Sequence, residues 1–169
     1  MQKISSIQLK LILVVTLSFI LSSCASTSTR TAPLITAKRP KPNSLGFAKP
    51  LTTKYTVTQR FKPKKNRKHK GVDIAGKKGS PIFSVAAGRV VYQGRKFSGY
   101  GKMILIEHDK GISTIYSHLS KIFVRAGQKV QRGQLIGAMG KTGRATGVHL
   151  HFELMENMKI VNPEKYIKF

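Results

Sequence analysis

The sequence predicts an all-β domain of mostly antiparallel strands, and three observations carry that prediction. Beyond about Lys54 the apolar residues fall in short runs rich in β-branched and aromatic side chains. Glycine-containing turn clusters separate those runs. No stretch of this region shows the 3.6-residue apolar period of a long amphipathic helix.

Residues 1–23 read as a secretory signal: Lys3 and Lys10 precede the apolar run Leu11–Leu21, and the small residues Ser22 and Ser23 follow it. The run is shorter than the roughly 17 to 25 residues that span a bilayer. Cys24 is the only cysteine, so an internal disulfide is ruled out. The stretch Leu21-Ser22-Ser23-Cys24 resembles a bacterial lipobox, which implies cleavage before Cys24 and a lipid on its sulfur. Such a chain would be lipid-anchored to a membrane of the cell envelope. Ala25 at the next position resembles a signal for the outer membrane, facing the periplasm, in a cell with two membranes.

Residues 24–53 form the expected lipidated linker. They hold four of the seven prolines, Pro33, Pro40, Pro42 and Pro50, with many Ser, Thr and Lys and no apolar period. A flexible tether of that size reaches about 30 Å on average.

The formal net charge is +25, and no acid precedes Asp73. Basic residues concentrate before it and end in the cluster Lys62, Lys64, Lys65, Arg67, Lys68 and Lys70. In an exported protein these cations face no nucleic acid; the partners in reach are anionic lipid headgroups and wall polymers.

The domain itself spans 54–169. Its expected strands are Ile82–Ala86, Gly88–Gln93, Lys102–His108, Ile112–His118, Leu135–Met139 and Val148–Met155. Turns fall at Ser98-Gly99-Tyr100-Gly101, Asp109-Lys110-Gly111 and Gly140-Lys141-Thr142-Gly143.

Four of the five histidines lie in three segments with chemistry in reach. In His149-Leu150-His151-Phe152-Glu153 the two-residue strand period puts both imidazoles and Glu153 on one face, with Leu150 and Phe152 on the other. That face suits one metal ligand beside one acid–base group, and Glu153 is either a partner behind the ligand or a structural strand-end carboxylate. In His69-Lys70-Gly71-Val72-Asp73 a glycine bend can aim an imidazole and a carboxylate at one point. In Tyr116-Ser117-His118-Leu119 the same period puts Tyr116 and His118 on one face. Two histidines and one carboxylate are a usual catalytic zinc set, and His69, Asp73 and one histidine of the 149/151 pair complete it. His118 and the other histidine remain for proton transfer. His108 sits beside a turn and is expected to face solvent.

From about Lys54 to Phe169 the chain resembles the lysostaphin/LytM-type zinc metallopeptidases. The likeness runs through His69-x-x-x-Asp73, Gly79-Ser80-Pro81-Ile82, Gly88-Arg89-Val90-Val91, Tyr116-Ser117-His118-Leu119, Gly127-Gln128-Lys129-Val130, Gly140-Lys141-Thr142-Gly143 and His149-Leu150-His151-Phe152-Glu153. The resemblance implies loops around a groove, Zn²⁺ on His69, Asp73 and His151, catalytic roles for His118 and His149, and endopeptidase action on the peptide stems or cross-bridges of peptidoglycan. A branch of that family has lost these residues and activates cell-wall amidases without catalysis. The alternative expectation is therefore an envelope lipoprotein that binds the wall and partners other cell-wall enzymes. A biotinyl- or lipoyl-type carrier reading of 124–140 lacks a suitable lysine at a hairpin tip and leaves the histidines without purpose.

Overall fold

A computed structural model describes residues 38–62 and 69–169. The expected signal 1–23, Cys24 and the linker up to residue 37 lie outside the described residues, as do Lys64, Lys65, Arg67 and Lys68 of the basic cluster.

Among the described residues eleven strands follow one another: β1 (Thr56–Gln59), β2 (Val72–Ala75), β3 (Pro81–Phe83), β4 (Gly88–Gly94), β5 (Met103–His108), β6 (Ile112–Ser117), β7 (Lys121–Ile122), β8 (Lys129–Val130), β9 (Leu135–Ala138), β10 (His149–Glu156) and β11 (Lys159–Val161). A 3₁₀ turn, Pro163–Lys165, follows β11, capped by the Asn162 side chain on the Glu164 amide. Every pairing is antiparallel. The larger sheet runs β1-β2-β10-β6-β5-β4-β8 with β11 added to β10, and the smaller runs β3-β9-β7. The fold is all-β, as the glycine-spaced apolar runs predict.

β10 organises the larger sheet because it is flanked on both sides along most of its length. On one side it pairs with β6; on the other its first half pairs with β2 and its last residues with β11. Its alternation is what the sequence predicts: Leu150, Phe152 and Leu154 are fully buried. Leu150 and Phe152 pack in one core with Ile74, Ile104, Ile106 and Tyr116. Burying each such side chain contributes about 1.5 to 3 kcal/mol, so the core holds β10 in register against its neighbours. The Tyr116 hydroxyl accepts from the Val85 amide at 3.0 Å, which satisfies the one polar atom that ring brings inside.

Two expectations need correction here. The packed region begins before Lys54: Ala48 and Leu51 are buried, and the Ala48 amide donates to Val85 O while Phe83 N donates to Pro50 O. The last residues assigned to the linker are therefore part of the domain, because two apolar side chains find a place on the core despite polar neighbours. His108 does not face solvent. It is buried, with Nδ1 at 2.8 Å from Ala87 O and Nε2 at 2.7 Å from Thr114 Oγ1. Burial holds its pKa below the ordinary imidazole value, against the opposing pull of the Ala87 carbonyl and Asp109.

Candidate metal and catalytic site

Register brings the first two site residues together. In the β2–β10 ladder His151 stands opposite Asp73, and His151 Nδ1 lies 2.6 Å from Asp73 Oδ1. His69 reaches the same carboxylate oxygen from the bend before β2, with Nε2 at 3.0 Å. Gly71 makes the bend feasible: a Cβ there would sit 2.2 Å from the Phe152 carbonyl oxygen, so only glycine lets this segment close on β10. His69 is fixed further by a two-way backbone bridge to Lys62.

Together His69 Nε2, Asp73 Oδ1 and His151 Nδ1 form a cluster of donor atoms within 4.8 Å of one another. The spacing and the donor chemistry fit a single zinc ion, which takes imidazole nitrogen and carboxylate oxygen at about 2.0 to 2.2 Å. The second nitrogen of each histidine supports the fit. His69 Nδ1 is 2.9 Å from Arg60 O, and His151 Nε2 is 2.9 Å from Glu153 Oε1. Donating there leaves the other ring nitrogen of each, and its lone pair, facing the shared point. Glu153 is in turn held by the Tyr100 hydroxyl at 2.9 Å. Burial and the Glu153 charge raise the Tyr100 pKa, so it remains a phenol donor.

His118 and His149 lie beside this cluster. Their ring centroids are 4.7 Å apart, and that of His118 is 5.9 Å from His151. Each is oriented through Nδ1 by a backbone carbonyl, Thr142 O at 2.7 Å for His118 and Gly147 O at 3.1 Å for His149. Both therefore keep Nε2 unprotonated when neutral, and His149 Nε2 is 3.9 Å from Asp73 Oδ1. His118 does not follow the strand alternation expected of it. Tyr116 on β6 points into the core against Phe152, whereas His118 lies past the strand end with φ of 60° and turns back to the site. A left-handed backbone at a residue other than glycine is costly, and here three hydrogen bonds hold it: His118 N to Tyr100 O, Nδ1 to Thr142 O and Thr142 N to His118 O.

The side chains of His69, Asp73, His149 and His151 are only 11% to 15% exposed, which strengthens their mutual electrostatics. Burial pushes Asp73 upward, but the His151 hydrogen bond and the charges of His151, His69 and His149 outweigh it and hold the carboxyl below its usual range. Burial alone would lower His151; hydrogen bonds and charges from Asp73 and Glu153 raise it instead to about 9. Burial lowers His118, partly opposed by its Thr142 bond, so its base form prevails at neutral pH.

A titration follows from the His151 value. A pKa raised above the unfolded 6.5 stabilises the metal-free fold fully below that pH, and the contribution is lost as pH rises through about 9. Were Nδ1 to ligate zinc, binding at pH 7 would expel close to one proton and tighten about tenfold per pH unit toward pH 9. Calorimetry in two buffers of different ionisation enthalpy checks this. Equal heats in both buffers would contradict the assignment.

The structure thus brings together all five histidine and aspartate residues singled out in the sequence. It adds Tyr100 and Thr142, which sequence reasoning placed only in turns; nothing in their residue type marks them, because their roles arise from loops that meet only on folding. Gly143 shows how close that meeting is: a Cβ on it would lie 2.4 Å from both Gly99 O and Gly101 N.

An antiparallel β domain presenting a His-Asp-His donor cluster flanked by two more oriented imidazoles has the build of a metallopeptidase. Residues 67–163 match Peptidase family M23, and the chain belongs to that family. It is 37% identical over 142 residues to the murein hydrolase activator NlpD of Salmonella typhimurium, covering 81% of this chain and 37% of that protein. The chain therefore spans little more than a third of that relative. Among solved structures it resembles a zinc-containing peptidase from Vibrio cholerae, with a TM-score of 0.65 and 34% identity over 73% of this chain and 39% of that one. It also resembles the catalytic domain of lysostaphin from Staphylococcus simulans, with a TM-score of 0.61 and 31% identity over 66% of this chain and 91% of that domain.

Proposed function

We propose that this protein is a zinc-dependent endopeptidase that hydrolyses the peptide stems or cross-bridges of bacterial peptidoglycan. The observation that carries the reading is the set of hydrogen bonds from the outer ring nitrogens of His69, His118, His149 and His151, which orient four imidazoles about one cleft beside Asp73. His69, Asp73 and His151 are the zinc ligands, with Glu153 and Tyr100 orienting His151. Bound zinc supplies Lewis acidity and a water ionisable near neutral pH. His118 and His149 divide proton transfer and stabilisation of the developing oxyanion, reaching the reacting atoms through Nε2. The backbone carbonyls of Thr142 and Gly147 hold both rings in that tautomer. The kinship with lysostaphin and the Vibrio cholerae peptidase supports hydrolysis.

A second reading rests on NlpD, a murein hydrolase activator by name, which this chain matches over most of its own length. In it the domain binds the wall and activates a partner amidase. The intact residue set favours the enzyme, because an activator has no need of inward lone pairs. Purified protein loaded with zinc is expected to release peptide fragments from peptidoglycan sacculi, and a chelator to stop it. Stimulation of an added amidase, with no fragments from the protein alone, would establish the activator instead.

The sequence also supports a place at the envelope membrane, through lipid on Cys24, with the basic linker meeting anionic lipid or wall polymer. Cys24→Ser is expected to move the protein from the membrane to the soluble fraction of its host; unchanged membrane association would dismiss the anchor.

A further inference from the structure

We infer that Lys70 and Arg144 form a subsite for a carboxylate carried by the substrate peptide beside the bond that is cut. The inference rests on the hydrolase reading and deepens it by naming a feature of the substrate.

The cleft over the site has a volume of about 270 Å³, and Lys70 and Arg144 both line it together with His69, His118, His151 and Glu153. Both cations are exposed side chains of otherwise fixed segments. Lys70 lies between His69 and Gly71, in the bend that closes on β10. The Arg144 amide donates to Gly99 O at 2.9 Å, in the same loop contact that presses Gly143 onto Gly101.

Among the described residues neither cation is paired with an acidic side chain, and all 6 acids of the sequence are described. Asp73 is engaged by His69 and His151, and Glu153 by His151 and Tyr100. Glu164 pairs with Arg60, and burial of the Tyr166 phenol, together with the Glu156 charge close to it, raises the Tyr166 pKa. Glu107 and Asp109 line a different cavity with Arg89 and Lys129. The one acid that lines the cleft, Glu153, is 1% exposed and committed to His151. Two exposed cations that line the cleft are therefore free to meet an anion from outside. A planar guanidinium offers two parallel donors matched to a carboxylate, and the lysine adds a point charge. A peptide stem supplies that anion from its chain terminus or from a side chain.

Three synthetic cross-linked stem peptides test the inference with the zinc-loaded protein: all carboxylates free, the terminal one amidated, and the side-chain ones amidated. Wild type is expected to prefer the free acid in kcat/KM over one of the amidated forms by roughly 10- to 100-fold, the worth of a charged hydrogen-bonded contact. Which form suffers identifies the source of the carboxylate. Arg144→Gln is expected to bring that ratio to within about threefold of unity, Lys70→Gln to lower it less, and Arg144→Lys to restore part of it. A ratio near one in wild type, or one unchanged in Arg144→Gln, overturns the subsite. Binding of the same peptides, measured by calorimetry, reads the preference without turnover. If none is cleaved yet the free acid binds more tightly to wild type than to Arg144→Gln, the subsite stands and the hydrolase reading fails. If the free and amidated forms bind alike, the subsite fails whether or not cleavage occurs.

Discussion

Replacing His151 by alanine is expected to remove zinc binding and peptide hydrolysis together. His151 stands at the centre of the cluster: its Nδ1 is 2.6 Å from Asp73 Oδ1 and 3.2 Å from His69 Nε2, and its Nε2 holds the buried Glu153. Alanine deletes one of three proposed ligands and strands a carboxylate that is 1% exposed. Loss of a partner behind a ligand costs about 10- to 100-fold in metal affinity, and loss of the ligand itself should exceed that. Metal analysis after dialysis is expected to find one zinc per wild-type chain and almost none in His151→Ala, with hydrolysis at background. Full zinc content in the variant would remove His151 from the ligand set.

The second large effect separates holding the metal from using it. His118→Ala and His149→Ala are each expected to keep zinc at the wild-type stoichiometry and to lower kcat by about 10² to 10⁴, the range for losing a positioned acid–base group. Their ring nitrogens are turned inward by Thr142 and Gly147, but neither residue belongs to the group of donors close enough to share an ion. Steady-state kinetics on a cleavable muropeptide, run beside metal analysis, checks the pair. Turnover within about threefold of wild type in either variant would deny that residue a part in proton transfer.

The contrast between these histidines shows what a sequence reveals and what it hides. The 149/151 pair was legible because a strand period of two fixes which side chains share a face, and the buried Leu150 and Phe152 fix which face that is. His69 and Asp73 are legible as a pair through the intervening glycine, though β2 itself is not: four residues are too few for an alternation to stand out. β7 and β8, with two residues each, exist only because longer neighbours pair with them. His118 is legible as a site residue but not in its direction, since the left-handed backbone that turns it depends on hydrogen bonds to the carbonyls of Tyr100 and Thr142, far away in the chain. The buried His108 escaped for a similar reason, because the Ala87 carbonyl and Thr114 hydroxyl that satisfy it belong to other strands or their ends. Composition likewise hid the packing of Ala48 and Leu51, two apolar residues in a stretch otherwise rich in lysine and proline.

Anomalous diffraction at the zinc edge, from crystals of the zinc-loaded protein, tests the central claim most directly. One peak is expected at about 2.0 to 2.2 Å from His69 Nε2, Asp73 Oδ1 and His151 Nδ1, with His118 and His149 beyond bonding distance. A peak held by other residues, or no peak with these three side chains turned apart, would contradict the account.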